Sequence, residues 1–334
     1  MTIAVTGAAG YIGSHIARLL HDGGTPVVAV DDMSAGRQER IEGLALVRLD
    51  LSRDEAPAVL GSEFRRRRVT AVIHLAARKS VGDSVSEPAH YFHQNVAGLA
   101  NVVTAMRRND VPRLVFSSSA AVYGAPDPSS LSGGLITEDA PTLPINPYGQ
   151  TKLAGEWLVG DAAVAYGMQT VSLRYFNVAG AGRPALADTV TANLIPILLD
   201  RAAQGLRPIV HGSDYPTPDG SCIRDYVHVG DLADAHLRAL GHLNGTDRSD
   251  PAIGSHEIFN VGTGKGASVL EVVASVARAL HHDLEPEIGP RRAGDPPALV
   301  ADVSKIERVL GWRAQHGLDD IVDSAVKAMR KPGK

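Results

Sequence analysis

The stretch Thr6-Gly7-Ala8-Ala9-Gly10-Tyr11-Ile12-Gly13 lies between an apolar, β-branched run and a segment with helical spacing. In a strand–turn–helix unit, Gly7 permits the tight turn, Gly10 lets the backbone approach a pyrophosphate, and Gly13 lets helix and strand pack closely. The N-terminus of the following helix offers N–H groups and the positive end of the helix dipole to an anion. The spacing G-x-x-G-x-x-G therefore predicts a dinucleotide-binding turn near the start of the chain.

Two carboxylates follow the next apolar run. Asp31 ends that run, close to the offset of ~20 residues at which such a turn is followed by the acid that binds the adenosine ribose. Its carboxylate can accept from both ribose hydroxyls, whereas a 2′-phosphate would meet Asp31 and Asp32 as like charges. The sequence therefore predicts NAD rather than NADP as the cofactor.

The pattern around this turn predicts the fold class. Residues 1–180 alternate short apolar runs with longer segments of helical spacing, which indicates a parallel sheet covered by helices on both faces. Beyond residue 180, proline and glycine become frequent, and short strands mix with helices. We expect an α/β protein with a doubly wound, Rossmann-type NAD-binding domain in residues 1–180. Residues 181–334 should form a smaller α/β substrate-binding region, with some return to the sheet.

Composition narrows the class of protein. Of 334 residues, 44% are hydrophobic and 21% are charged, with a formal net charge of −4, as in ordinary globular proteins. No apolar run approaches the roughly 20 residues that span a bilayer, and nothing favours a nucleic-acid or membrane surface. The single cysteine, Cys222, and an N-terminus without a basic leader segment predict a cytoplasmic protein. The histidines lack acidic or cysteine partners at ligand spacing, so we expect no metal site.

One tyrosine has a lysine four residues later, in Tyr148-Gly149-Gln150-Thr151-Lys152. On a helix these two side chains share a face. A nearby ammonium and a positive nicotinamide ring stabilise a phenolate, and moving the pKa from about 10 to ~7 takes ~4 kcal/mol. Upstream, Ser117-Ser118-Ser119 closes an apolar run, where a doubly wound fold places its ligands. The spacing predicts Tyr148 as a base, Lys152 as its tuner and a serine hydroxyl as a proton relay.

Together these residues resemble the signature of the extended short-chain dehydrogenases, and the chain resembles the UDP-glucose (UDP-galactose) 4-epimerases from end to end. Five stretches carry the likeness: Thr6–His15; His74–Ala77 with Lys79; Phe116–Ser119 with Val122–Gly124; Arg174–Asn177; and Asp214–Val229. The fifth, joined to Arg291-Arg292-Ala293-Gly294-Asp295, is the most particular to the 4-epimerases.

The resemblance implies residue roles. Tyr148, Lys152 and Ser119 would be catalytic. NAD would be held by Gly7, Gly10, Tyr11, Ile12, Gly13, Asp31, Asp32, Asp50, Leu51, Leu75, Ala76, Ala77, Lys79, Asn95, Ser117, Tyr148, Lys152 and Tyr175. The UDP-sugar would be held by Lys79, Ser119, Tyr148, Asn177, Asn193, Leu194, Ile209, His211, Arg224, Tyr226, Arg292, Asp295 and Leu299. Arginine forks suit a pyrophosphate, which agrees with this assignment. The resemblance also implies a homodimer formed by the segments 89–109 and 148–166.

The chain departs from the family pattern at four places. His211 stands where an aromatic residue usually stacks on uracil, and Ala121 stands where a hydroxyl is common. The loop Gly182–Thr191 does not match the commonest version. Leu299 stands at the position that gates sugar size, where the family has a large tyrosine or a small cysteine or serine.

Sister activities can be separated by chemistry. A 4,6-dehydratase needs an acid for elimination, and the related decarboxylases carry a glutamate at the same place. Here Ser119 is followed by Ala120-Ala121-Val122, which supply no acid. We expect oxidation and re-reduction at C4 of UDP-glucose or UDP-galactose. A UDP-N-acetylglucosamine or UDP-glucuronate 4-epimerase and a non-catalytic NAD-binding protein are the alternatives.

Overall fold

The structure, a computed structural model, describes residues 1–127, 131, 133–190, 193–245, 254–292 and 294–329. It divides into two units. The first contains Met1–Gly124, Thr142–Arg174 and Ala233–Phe259, and the second contains Ala125–Pro141, Tyr175–Leu232 and Asn260–Lys334. The two units are therefore interleaved along the chain, and the predicted division of ligand binding at residue 180 stays a prediction.

The first unit is built on a central sheet, for which the described residues give seven strands. These are β1 (Thr2–Thr6), β2 (Val27–Asp31), β3 (Ala45–Arg48), β4 (Val69–His74), β5 (Arg113–Ser117), β6 (Gln169–Tyr175) and β10 (His256–Val261), in the order β10-β6-β5-β4-β1-β2-β3. The pairs among β1 to β6 are parallel, with Ile3 opposite Val27 and Ala71. Because the order reverses between β1 and β4, a ligand groove is expected at the carboxyl ends of these strands. The predicted doubly wound α/β fold is confirmed.

The helices associated with this sheet are α1 (Tyr11–Asp22), α2 (Ala56–Arg67), α3 (Val81–Ser86), α4 (Pro88–Phe92), α5 (Gly98–Arg108), α6 (Pro147–Tyr166) and α8 (Val229–Gly245). Leu60, Phe64, Leu99, Met106 and Leu114 belong to a buried apolar cluster that joins helices to the sheet. Between α4 and α5, the backbone His93–Ala97 forms a π-helical turn, so the segment that reads as one helix has a wider turn in its middle. Such turns are frequent at functional sites, and Asn95 lies in this one.

The second unit contains a smaller sheet and a two-stranded pair. The sheet holds β7 (Asn177–Ala179), β9 (Ile223–His228), β11 (Gly266–Ser268) and β13 (Ala298–Leu299), and the pair is β8 (Ile209–His211) with β12 (Glu287–Gly289). The remaining helices are α7 (Leu194–Ala203), α9 (Val269–Leu280), α10 (Ser304–Leu310) and α11 (Leu318–Met329). Ser268 begins α9 with a reciprocal capping box formed with Glu271.

One buried carboxylate joins three segments of the second unit. Asp225, on β9, accepts hydrogen bonds from Thr263 N–H and Oγ1 (2.7 Å each), Gly264 N–H (3.0 Å) and Ala301 N–H (3.2 Å). Because a buried carboxylate without partners is costly, these donors explain how a charged residue is accommodated there. Asp225 thereby fixes the strand that carries Arg224 and Tyr226.

In the described part of the chain, no helix has both the length and the apolar character that crossing a bilayer requires.

Candidate active site

The glycine turn between β1 and α1 is shaped to receive a phosphate. Gly7 has a φ of +67°, and a Cβ there would lie 2.8 Å from the Ala76 nitrogen. A Cβ on Gly13 would lie 2.1 Å from the Gly7 oxygen, so the helix start requires glycine for close packing. Gly10 is the N-cap of α1; no side chain caps that helix, and its first turn holds no acid. A Cβ on Gly10 would come near only the Gly7 oxygen, at 3.2 Å, so the turn leaves a cradle that fits a pyrophosphate.

The two acids after β2 differ in their surroundings. Asp31 is buried and accepts from the N–H groups of Ala9 and Met33, at 2.9 Å each. Burial raises the pKa of Asp31 above its ordinary value, although both N–H donors oppose this. Asp32 accepts from the N–H and Oγ of Ser34 and forms an ion pair with Arg78 at 3.2 Å. Arg78 therefore partly offsets the negative charge of Asp32.

The loop after β4 is tied to the glycine turn. Thr6 Oγ1 accepts from the N–H groups of Leu75 (3.2 Å) and Ala76 (3.3 Å) and lies 2.9 Å from His74 Nδ1. Burial lowers the pKa of His74 to about 3, so this ring is neutral. Because Thr6 Oγ1 accepts from two amides, its own proton is left to bind Nδ1 of the neutral ring. Ala77 and the exposed Lys79 follow in the same loop.

Asn95 supports this loop from behind. Its Oδ1 accepts from Arg78 N–H (2.7 Å), and its Nδ2 donates to Arg78 O (3.1 Å) and to Thr151 Oγ1 on α6 (2.9 Å). The side chain of Asn95, which was predicted to bind NAD, thus holds the backbone of Arg78 in place. Asp50 accepts from Ser52 N–H (3.0 Å) and Oγ (2.8 Å). Partial burial opposes these bonds, but the pKa of Asp50 is lowered on balance.

The predicted catalytic side chains come together in the first unit. Lys152 Nζ donates to Ser117 O at 2.8 Å and lies 5.9 Å from the centre of the Tyr148 ring. The Ser119 hydroxyl acts to lower the pKa of Tyr148. Burial raises the pKa of Tyr148 to about 12, against this effect, and lowers that of Lys152 to about 8, against the charge of Glu156. The chain's own groups thus do not lower the tyrosine pKa as the spacing predicts, because burial outweighs them.

The three serines at the end of β5 have different hydrogen-bond partners. Ser117 Oγ lies 2.8 Å from Nε2 of the buried His236 on α8, and the Ser118 hydroxyl donates to Glu156 on α6. Ser119 Oγ caps the short turn that follows, accepting from Ala121 N–H at 3.2 Å. The predicted cofactor ligand Ser117 therefore has a side chain that faces His236.

A buried ion pair lies beside Ser118. Glu156 binds the Arg174 guanidinium in a two-pronged contact, at 2.9 and 2.6 Å, and Arg174 also donates to Tyr123 Oη at 3.0 Å. The site residues predicted from the sequence did not include Glu156, Arg174 and His236. A signal existed for Glu156, which lies four residues after Lys152 and so shares its helix face. Nothing local marks His236, whose contact spans 119 residues.

Five of the predicted substrate ligands lie together in the second unit. Asn177 on β7 pairs in register with Tyr226 on β9, and Leu299 on β13 pairs with Arg224. Arg224 forms an ion pair with Asp295 at 3.5 Å and donates to Pro296 O at 2.9 Å. Arg224 is mostly buried, so the ion pair and carbonyl contacts hold its guanidinium in one place.

The other predicted substrate ligands lie on separate segments of this unit. Asn193 is the N-cap of α7, donates to Asp188 at 3.0 Å and precedes Leu194. Ile209 and His211 are on β8, where His211 Nδ1 lies 3.3 Å from Pro290 O. Ala293 and Thr191 lie outside the described residues.

The adjacent arginines Arg291 and Arg292 near the C-terminus differ in their contacts. Arg291 forms an ion pair with Asp214 at 2.6 Å and lies 4.2 Å from the centre of the Tyr215 ring. Arg292, the predicted ligand, is exposed. The described ranges contain no group of three His, Cys, Asp or Glu side chains placed to hold a metal ion.

A doubly wound sheet with a phosphate-binding turn and a buried Tyr–Lys–Ser group defines a nucleotide-dependent enzyme of the short-chain dehydrogenase class. The model of the NAD dependent epimerase/dehydratase family matches residues 3–262. The chain belongs to this family, and the expected family and cofactor are confirmed.

Similar proteins cover nearly the whole chain. A UDP-glucose 4-epimerase of Azospirillum brasilense is 45% identical over 331 residues, 97% of this chain and 90% of the relative. The crystal structure of a UDP-glucose 4-epimerase of Stenotrophomonas maltophila, with bound NAD and formylated UDP-arabinopyranose, superposes with a TM-score of 0.90. Its identity is 37%, over 99% of this chain and 98% of that one. A UDP-glucose 4-epimerase of Brucella ovis in complex with NAD has a TM-score of 0.88 and 40% identity, over 98% and 97%.

Proposed function

We propose that this protein is a UDP-glucose 4-epimerase, which interconverts UDP-glucose and UDP-galactose through a transient 4-keto sugar. The observation that carries the proposal is the buried Tyr148–Ser119–Lys152 group in a chain of this family. The turn Ala120–Tyr123 beside it carries no carboxylate, so eliminating water or carbon dioxide lacks an acid there. Oxidation and re-reduction at C4 needs only a base that returns its proton.

In this mechanism Tyr148 takes the proton of the sugar 4-hydroxyl, and the Ser119 hydroxyl relays that proton. When bound, NAD would supply the acceptor and donor of the C4 hydride and a positively charged ring beside the phenol. Lys152 adds the second positive charge, held in place by the Ser117 carbonyl. Two cations in a dry site counter the burial that raises the pKa of Tyr148.

The geometry of several residues supports their proposed roles in binding NAD. Gly7, Gly10 and Gly13 with the start of α1 fit the pyrophosphate, and Asp31 fits the adenosine ribose. Asn95 acts indirectly by fixing the backbone of the loop after β4.

On the sugar-nucleotide side, Arg224 is proposed to bind the pyrophosphate, oriented by Asp295. Leu299 pairs with Arg224 and Asn177 pairs with Tyr226 on β9, and both are proposed to contact the sugar. Leu299 would then set how large the C2 substituent can be.

The protein is further proposed to be a cytoplasmic homodimer. Its first unit exposes large apolar side chains: Trp157 at 64% and Val164 at 79% on α6, and Phe92 at 40% on α4. Apolar side chains exposed along helices mark a surface that packs against a partner. The one cysteine, Cys222, is not in a disulfide, in keeping with a reducing compartment.

The test is turnover of UDP-glucose, UDP-N-acetylglucosamine and UDP-glucuronate assayed side by side, with Tyr148→Phe as the diagnostic variant. The phenyl ring keeps the packing but has no proton to exchange, so kcat should fall by roughly 10²- to 10⁴-fold. The variant should still retain NAD after purification. A near-normal rate in Tyr148→Phe, or a preference for UDP-glucuronate in the native protein, would contradict the proposal.

A further inference from the structure

A guanidinium group joins the two loops that follow β2 and β4. Arg78 Nη1 donates to Ser34 Oγ at 2.8 Å, and Nη2 donates to Asp32 Oδ2 at 3.2 Å. The loop after β4 carries Arg78, and the turn after β2 carries both acceptors. A single side chain thus connects segments that are 46 residues apart in sequence.

The backbone at the root of this side chain is fixed. Asn95 binds both the N–H (2.7 Å) and the carbonyl (3.1 Å) of Arg78. Asn95 is buried, and its Nδ2 also donates to Thr151 on α6, the helix that carries Tyr148. Because the backbone is held on both sides, opening the connection requires only rotation of the Arg78 side chain.

The acceptors on the β2 side are also held in place. Asp32 Oδ1 accepts from both the N–H (2.8 Å) and the Oγ (2.6 Å) of Ser34, which aligns the two acceptors with each other. Met33 between them has a φ of +64°, a left-handed conformation that its N–H bond to Asp31 supports. The turn therefore presents its acceptors in one arrangement.

The two connected loops flank the glycine turn. In the sheet, β1 lies between β4 and β2, and the turn that fits the pyrophosphate follows β1. Gly7 approaches Ala76 of one loop, and Gly36 lies against Ala9 and Asp31 on the other side. The contact of Arg78 with Asp32 and Ser34 therefore spans the groove above β1, on the side where Asp31 marks the adenosine ribose.

We infer that Arg78 is a positioning residue that closes the adenosine end of the dinucleotide groove and slows the release of NAD. The inference rests on the proposed function, in which the cofactor is regenerated in each cycle and need not leave. Arg78 and Asp32 are each about one third exposed, at 31% and 28%, so water and salt reach the ion pair. The closure is therefore reversible and should weaken as ionic strength rises.

The experiment measures the release of NAD directly. NAD-loaded protein is mixed with alcohol dehydrogenase and ethanol, which convert only released NAD to NADH, and the absorbance of NADH gives the release rate. Removing two charge-assisted hydrogen bonds should make release from Arg78→Ala roughly tenfold faster than from the native protein. Arg78→Lys keeps the charge but not the two-pronged geometry, so its rate should be intermediate.

The matched control is Arg238→Ala on α8. This arginine also forms an exposed ion pair, with Asp234 at 3.3 Å, but it lies on α8, which carries none of the residues predicted to bind NAD. Its release rate should equal that of the native protein. Raising the salt concentration should speed release from the native protein more than from Arg78→Ala, a difference that a change in folding alone would not produce.

Two results would overturn the inference. One is an unchanged release rate in both Arg78→Ala and Asp32→Asn. The other is faster binding with unchanged release in Arg78→Ala, which would mean that the side chain obstructs entry. Failure of the proposed function looks different: the native protein would then lack bound NAD, or would hold it without epimerising UDP-glucose.

Discussion

At the scale of single residues, the proposed site contains two buried groups, and burial disfavours the charged form of each that the reaction requires. Burial favours a neutral phenol at Tyr148 and a neutral amine at Lys152, while the proposed reaction needs a phenolate beside an ammonium. An ammonium close to a phenolate makes each charge less costly than it would be alone. The tyrosine–lysine spacing could be recognised in the sequence, but the extent of burial could not, since it depends on β5 and α6 packing together.

The lowered pKa of Lys152 predicts that turnover declines at alkaline pH. Its pKa is lowered from 10.5 to about 8, so the ammonium is present below that pH and is lost as the pH rises through it. The kcat for UDP-glucose should therefore fall on the alkaline side, with an apparent pKa near 8. Lys152→Arg stays charged throughout, so its absolute rate should be lower but the alkaline decline should move to higher pH. A decline at the same pH in both proteins would assign it to another group.

The side chain of Leu299 is expected to set which C2 substituent of the sugar is accepted. If it borders the sugar, one or two methyl groups of conflict with an N-acetyl group are worth ~1–3 kcal/mol, or roughly 10- to 200-fold in relative rate. UDP-glucose should be used best, with detectable use of UDP-N-acetylglucosamine. Leu299→Tyr should abolish the second activity and spare the first, and Leu299→Ser should raise the second. Equal responses of both substrates would place Leu299 away from the C2 substituent.

At the scale of elements, α6 organises the site. Tyr148, Lys152 and Glu156 succeed one another at four-residue intervals and meet the serines that end β5. Asn146 caps the start of this helix by accepting from Gly149 N–H at 2.8 Å. The proposed catalytic pair, Tyr148 and Lys152, therefore lies in the first two turns of a helix whose N-terminus is capped.

Glu156→Gln tests the buried support of this helix. The amide keeps the shape but leaves the Arg174 guanidinium without its counter-charge, and breaking a buried pair in this way costs about 3–5 kcal/mol. The free energy of unfolding, measured in urea, should fall by that amount. Glu307→Gln removes a carboxylate from an exposed pair with Arg313 and should cost less than about 1 kcal/mol. Similar losses in both variants would mean that burial does not strengthen the Glu156 contact.

The elements differ in how far the sequence predicts them. The strands β1 to β6 and the helices α1 and α6 follow from long apolar runs and helical spacing. The strands β7, β11 and β13 have two or three residues each, too few to show a period, and their pairing depends on contacts distant in sequence. The π-helical turn at His93–Ala97 also leaves no mark in the apolar pattern.

At the scale of the whole molecule, the exposed apolar positions on α4 and α6 predict a homodimer. Purified protein at micromolar concentration should have twice the mass of the chain in light scattering. Placing a charge in the predicted interface, as in Trp157→Asp or Val164→Asp, should give a monomer. Leu19→Asp, at a position 41% exposed on α1, should remain a dimer. A native protein of single-chain mass would contradict the prediction.

The hydrogen bond between Ser117 and His236 joins the end of β5 to a helix that is synthesised much later. During synthesis, residues 1–174 leave the ribosome well before α8 and β10. Until those later elements arrive, β6 remains an open sheet edge, and the serine at the end of β5 lacks its histidine. A fragment ending near residue 180 would hold every glycine of the phosphate turn, the tyrosine and the lysine, yet its central sheet would be unfinished.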